Sequence, residues 1–286
     1  MKIIVCVKQV GYIYHPIAID SPGGAIDPEK IVYMLNPYDE VAIEEALRIK
    51  ENFGFEVIVI TAGPPKAEAA LRYAFSFGAD RMIRIHCQSL DAWSTSLVLA
   101  EAIRNLKFDV ILCGKKAIDT NDNQVGTFLA ELLNTTQVSG IVGLEMYPGR
   151  RKVVVEKYLG RGDRELVECC LPALFTVERS VFDPRYPTVP KRMAAEKKKV
   201  EVIDTNFLGM DLSEGDAFTA PRNYSPPRPK PKKVFTPEGH FSSAERMRLI
   251  MSGGLSGKTG NLVERPPEEA AQRIIEVLIQ EGILLP

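Results

Sequence analysis

The stretch Phe108–Leu133, FDVILCGKKAIDTNDNQVGTFLAELL, decides the fold. Its opening run FDVIL is apolar and strand-like, and its closing run FLAELL is helical. Between them Cys113–Thr127 is polar, rich in amides, with glycine and acid. Strand, polar turn and helix in that order form half of a βαβ unit, and open α/β sheets keep their ligands at the carboxyl ends of strands. The turn has no Cys-His pair, no serine elbow and no phosphate-binding loop. Its groups hydrogen-bond without attacking.

The same alternation extends backwards to the amino terminus. KIIVCV is a buried strand, and Pro37–Asn52 carries Val41, Ala42, Ala46, Leu47 and Ile49 on one helical face. Asn36 before Pro37 is placed to cap that helix. FEVIVITAG is a strand, PKAEAALRYAFSFG a helix stopped by Gly78, DRMIRIH a strand and STSLVLAEAIRNL a helix. Helices of that length between strands mean parallel pairing. From about residue 138, IVGLEMY, RKVVVEKY, ELVECC and ALFTVE are shorter strands without long helices between them, a mixed or antiparallel extension of the sheet. A proline-rich loop, a lysine-rich segment and one more strand follow. The domain organisation expected is an α/β body over 1–212, a proline-rich extended linker over 213–240 containing NYSPPRPKPKK, and a helical tail over 241–286 with the patterns SAERMRLIMS and PPEEAAQRIIEVLIQEG.

With 36 basic and 37 acidic residues the net charge is −1, which argues against nucleic acid as a partner. No apolar run reaches the roughly 18 residues of a membrane helix, and MKIIVCVKQV is a strand pattern unlike a signal peptide. The five cysteines lack metal-ligand spacing and read as small hydrophobes in a reducing compartment, so the expected location is cytoplasmic. GGLSGKTG in the tail has Ser252 where a phosphate loop needs glycine, and no GxGxxG is present. His15, His86 and His240 are isolated from paired carboxylates, and Glu44 and Glu45 are expected to face water. No acid–base or nucleophile set emerges. The pattern is that of a binder or carrier.

Three strand ends converge at one sheet edge: Val7-Lys8-Gln9-Val10, Thr61-Ala62-Gly63-Pro64 and the turn Cys113–Thr127. Small residues at Ala62 and Gly63 permit close backbone approach. Asn123 and Gln124 offer amides where the next helix begins, with backbone N–H groups aimed at an anion. Asp119 can accept from a ribose hydroxyl, and Asp119 and Asn123 serve equally as caps and turn formers.

Five motifs in order, KIIVCVKQV, NPYDEVAIEEALRIKE, TAG with GADR, CGKKAIDTNDNQVG and DPRYPTVPKRMAAEKKKVEVI, resemble the β subunit of electron transfer flavoprotein over roughly residues 1–212. The resemblance implies an adenine-nucleotide α-hydrolase-like sheet with helices on both faces, to which the residues add the antiparallel extension and a C-terminal helical tail longer than in compact family members. It implies a heterodimer with an α subunit that holds most of a redox FAD, with Tyr38 beside Asn36 covering one side of the ring and Tyr12, Ile13 or Tyr14 adding a second contact. It further implies a nucleotide in this chain, AMP or a second FAD, cradled by Val7, Lys8, Thr61, Ala62, Gly63, Cys113, Gly114, Ala117, Asp119 and Asn123, and by Gln124, Val125, Gly126 and Thr127. Thr127 can supply a phosphate contact that Val125 cannot, which favours AMP, whereas Gln-Val-Gly resembles FAD-holding, electron-bifurcating members. Arg185, Tyr186, Pro187, Val189 and Pro190 match the segment that recognises acyl-CoA dehydrogenases in fatty acid oxidation, and the electron acceptor implied is a membrane quinone oxidoreductase. The family's acidic residue near the late strands falls at Tyr158 or Leu159 here. A universal-stress-type nucleotide module shares such a sheet but lacks PRYPTVP and the lysine-rich run.

Overall fold

The computed structural model describes residues 1–12, 31–87, 91–179, 183–204, 241–251 and 266–280. Its internal contacts divide the chain into two units, Met1–Pro227 and Arg228–Pro286. The first begins β1 (Lys2–Cys6), β2 (Gln9–Tyr12), β3 (Val32–Leu35), α1 (Pro37–Phe53), β4 (Glu56–Gly63), α2 (Glu68–Ser76) and β5 (Arg81–His86). It continues with α3 (Ala92–Arg104), β6 (Val110–Gly114), α4 (Val125–Leu132), β7 (Thr136–Tyr147), β8 (Lys152–Gly160), β9 (Asp163–Cys170) and β10 (Ala173–Val177). It ends with α5 (Val189–Lys197) and β11 (Glu201–Asp204), and the second unit holds α6 (Ser243–Met251) and α7 (Pro267–Gln280). No helix among the described residues is long and apolar enough to cross a membrane.

Nine strands form one sheet in the order β11-β5-β4-β1-β6-β10-β7-β8-β9. The strands from β11 to β7 are parallel, and β8 and β9 add an antiparallel extension. This is the α/β architecture expected from the alternation. β10 enters between β6 and β7 and so returns the late strands to the parallel core. Alternate residues of the central strands face opposite sides. Ile3, Val5, Val59 and Leu112 pack with α1 and α2, while Ile4, Ile58, Ile60 and Ile111 pack with α3 and α4. Burial on both faces is why these strands read as unbroken apolar runs. Each such side chain contributes about 1.5–3 kcal/mol by leaving water.

Local sequence sets the helix ends. The Asp91 side chain accepts from the Ser94 N–H (2.9 Å) and caps α3. Gly54, at φ 70°, closes α1 by donating its N–H to the Lys50 carbonyl (2.8 Å). Asn36 stands at the N-cap of α1, but its side chain makes no cap bond and is used elsewhere.

One sequence expectation is revised. Gln9–Tyr12, read as loop, pairs antiparallel with Val32–Leu35 in a separate two-stranded sheet, because the Lys8 carbonyl accepts the Asn36 N–H (3.0 Å) and sets that register. As the run FEVIVITAG implies, Thr61–Gly63 completes β4, paired with Arg84–His86. The lysine-rich segment begins as the helix α5, which ends at Lys197 and whose first turn takes Pro190 without losing a needed donor. The linker 213–240, the GGLSGKTG segment, Ile13, Tyr14, His15 and His240 lie outside the described residues.

Gly126 fixes how closely α4 lies on β10, since a Cβ there would stand 2.5 Å from Thr176 Cγ2. Helix propensity alone favours alanine by at most ~1 kcal/mol, whereas overpacking costs about 1–3 kcal/mol. The clash should win. Gly126→Ala is expected to lower the urea midpoint, and adding Thr176→Ser, which removes the obstructing methyl, should recover most of the loss. A midpoint raised by Gly126→Ala would contradict this packing.

Candidate functional site

β4, β1 and β6 are neighbours, with Ile60, Cys6 and Cys113 in register. Their carboxyl ends therefore emerge at one edge, bringing together Val7-Lys8, Thr61-Ala62-Gly63 and the turn after Gly114. The junction is tied by a residue that the sequence reading did not select. Asp39, in the first turn of α1, is buried, and its Oδ2 accepts from the Lys8 N–H (2.7 Å). Its Oδ1 accepts from Asn36 Nδ2 (2.9 Å) and from the Gly114 N–H (3.2 Å). One carboxylate thus joins α1, β1 and β6. Burial pushes the Asp39 carboxyl up to about 7, against its three donors and the Lys8 charge, all of which favour the ionised form.

Asn36 extends this knot to the turn. Its Nδ2 donates to the Lys116 carbonyl (3.0 Å), and its Oδ1 accepts from the Ile118 N–H (3.3 Å). That use of the amide explains why it does not cap α1. Gly114 has no substitute, because a Cβ would lie 2.2 Å from Asp39 Oδ1 and 2.7 Å from Tyr38 Cβ. Tyr38, also in the first turn of α1, has Lys116 Nζ 5.7 Å from its ring centre.

Across the edge, Lys8 Nζ bonds Asp119 Oδ1 at 2.9 Å, which also accepts the Thr120 N–H (2.8 Å). Asp119 is thus a turn former and an ion-pair partner of the first strand end. Asn121 and Asn123 take left-handed backbone conformations, φ 59° and 55°, which asparagine tolerates better than most residues. Gln124 occupies the N-cap of α4 without a side-chain cap bond. Val125, Gly126 and Thr127 form the first turn, and an α-helix leaves its first N–H groups without intrahelical acceptors. Thr127 Oγ1 accepts from Gln137 Nε2 (3.1 Å).

The structure gathers the backbone of Val7, Lys8, Thr61, Ala62, Gly63, Gly114 and Ala117 at or beside this edge. Cys113 differs: its thiol is buried, hydrogen-bonded to Cys6, and pushed well up by that bond and by burial. It is a core side chain and no nucleophile. Among the described residues no cluster of His, Cys, Asp or Glu is suited to a metal.

The proline-framed segment Arg185–Pro190 lies on another side of α1. Arg185 donates from Nε and Nη2 to Glu44 (2.8 and 2.9 Å), from its backbone N–H to Glu44 (3.1 Å), and from Nη1 and Nη2 to Glu51. Burial alone raises the Glu44 carboxyl, but Arg185 holds it below its usual range. Arg185 is therefore an anchor of the loop. Tyr186 and Val189 are free of the body, 91% and 70% exposed. Neither Glu44 nor Glu45 faces water as expected, since both are buried, Glu44 beneath Arg185 and Glu45 in a groove beside β7. Acidic residues spaced seven apart (Glu44, Glu51) opposite a downstream arginine were the legible signal, but only the fold supplies that arginine.

The class these features define is an α/β protein whose mostly parallel sheet ends in an amide-lined strand edge. A family profile for the electron transfer flavoprotein domain matches residues 24–208. Electron transfer flavoprotein subunit beta of Thermoanaerobacterium thermosaccharolyticum is 33% identical over 93% of this chain and 97% of its own length. That of Bacillus subtilis is 32% identical over 88% and 98%, and the caffeyl-CoA reductase–Etf complex subunit CarD of Acetobacterium woodii is 34% identical over 79% and 88%. The chain belongs to the electron transfer flavoprotein β-subunit family, and its role is in electron transport as part of a flavoprotein.

Asp39→Ala leaves the Lys8 and Gly114 N–H groups without their acceptor, at about 1–3 kcal/mol each when buried, partly offset by no longer burying a carboxylate. Urea unfolding at pH 8, where Asp39 is ionised, should show a net loss of about 2–4 kcal/mol. An unchanged unfolding free energy would remove Asp39 from its central place.

Proposed function

We propose that this chain is the β subunit of a heterodimer in which an α subunit holds most of a redox FAD, and that Tyr38 covers one side of that ring. A flavin supplies the redox chemistry when bound; this chain orients and shields. The strand edge holds AMP, with the α4 first turn and Thr127 toward the phosphate, Asp119 toward the ribose, and Ala62 and Gly63 allowing close approach of the base. The observation that carries this reading is the side-chain-uncapped N-terminus of α4 beside strand ends knotted by Asp39 and Asn36, a preformed seat for an anion. In the domain organisation proposed, residues 1–212 form this body, 213–240 a linker and 241–286 a helical tail. The setting proposed is cytoplasmic.

Electrons reach the flavin from acyl-CoA dehydrogenases of fatty acid oxidation and leave to an acceptor such as a membrane quinone oxidoreductase. Support for a CoA-thioester partner comes from the relative that belongs to a caffeyl-CoA reductase complex. The docking loop is Arg185–Pro190. Arg185 holds it on α1, Pro187 and Pro190 stiffen it, and the exposed Tyr186 and Val189 enter the dehydrogenase. One specific feature favours a second reading, a second FAD and electron bifurcation: Gln124-Val125-Gly126 places valine where a hydroxyl would serve a single phosphate.

Denaturing the heterodimer purified after co-expression with its α subunit, and separating the released nucleotides, decides between them. One FAD and one AMP per dimer are expected. Two FAD without AMP would make bifurcation the function. Val189→Ala removes two methyl groups, worth ~0.8 kcal/mol each. It should slow reduction by an acyl-CoA dehydrogenase roughly tenfold while flavin content stays constant; equal rates would reject the docking role.

A further inference from the structure

Glu45 is a buried carboxylate with no use in the reading above. It lines a groove with Val41 of α1, Ile141, Val142 and Gly143 of β7, and Val177 and Glu178 at the end of β10. Only 6% of its surface is exposed, and it accepts no hydrogen bond from a described residue. The charges around it do not neutralise it. Arg48 lies near on α1 but is 3.6 Å from Glu44, Glu44 itself repels, and Glu178 across the groove is already bonded to Lys115 (2.7 Å). Burial holds the Glu45 carboxyl at about 7. Since no fully buried side-chain oxygen among the described residues lacks a partner, the Glu45 oxygens reach water at the groove mouth, and a cation arriving there would replace that water. The floor of the groove has space for about one group the size of a water molecule, which suits the ammonium of a lysine.

Helical spacing says from which side the cation comes. Tyr38, Val41 and Glu45 are at i, i+3 and i+7 and share one face of α1. Glu44 and Glu51 occupy another, under the docking loop. We propose that the Glu45 groove is the socket for a lysine side chain of the α subunit, seated on the same face of α1 as Tyr38. The inference rests on the heterodimer reading above and deepens it. The ammonium pairs with Glu45 at the mouth of the groove, so pairing of the subunits and closure over Tyr38 occur together.

The test uses the full-length chain co-expressed with its α subunit, comparing parent, Glu45→Gln and Glu45→Lys by dilution and sedimentation. Glu45→Gln should raise the dissociation constant about 10–100-fold, and Glu45→Lys should abolish pairing. Loss of a buried pair must be separated from misfolding, so urea unfolding of each full-length chain alone is measured from pH 4.5 to 8. The unfolded Glu45 titrates near 4.5 and the folded one near 7, so its stabilising contribution is complete below 4.5 and is lost as pH rises through 7. Glu45→Gln should lack that decline and be no less stable than the parent above pH 7. Weaker pairing with an undiminished chain supports the socket. Unchanged pairing overturns it, as does self-association of the parent that Glu45→Gln abolishes, which would make a second copy the occupant. A parent that does not bind the α subunit sinks the heterodimer reading as well, whereas equal binding by parent and Glu45→Gln sinks this inference alone.

Discussion

A single buried carboxylate holds the functional end of this protein together. Parallel strands leave their carboxyl ends without a common partner, because each chain departs into its own helix. Asp39 supplies that partner for two of them, accepting the backbone N–H of Lys8 after β1 and of Gly114 at the end of β6. Asn36, bonded to the same carboxylate, passes the constraint to Lys116 and Ile118. Burial works against the ionised form and the donors work for it. The loop that carries Asp119, Asn123 and Gln124 therefore starts from a fixed point. The glycine at 114 is required by the same contact, since no side chain fits beside Asp39.

The helix that bears Asp39 serves three surfaces at once. Its first turn faces the strand edge through Asp39 and carries Tyr38. Glu44 and Glu51 clamp Arg185 and with it the exposed loop of Tyr186 and Val189. A third stripe carries Glu45. One rigid element thus fixes the distances between the strand edge, Tyr38 and the segment that Arg185 anchors.

Much of the fold was legible from the sequence, because strands buried on both faces print as continuous apolar runs and their helices as 3.6-residue stripes. KIIVC, EVIVITAG and VILCG and the helices after them are of this kind. The antiparallel extension was legible from short strands without intervening helices. What escaped were features created by distant partners. Gln9–Tyr12 looks like a loop until Val32–Leu35, more than twenty residues on, pairs with it. Glu44 looks solvent-facing until Arg185, 141 residues away, covers it. Asp39 reads as an ordinary acid in a helix first turn, a position where acids are common for dipole reasons. Its burial and its three donors follow only from the convergence of β1, β6 and α1.

The central claim is that Asp39 couples two strand ends into one unit, and native-state hydrogen exchange reads that coupling directly. The Lys8 and Gly114 amides should exchange slowly, open with one shared free energy, and lose protection together in Asp39→Ala. Fast exchange at either amide, or protection of one that changes independently of the other, would contradict the account.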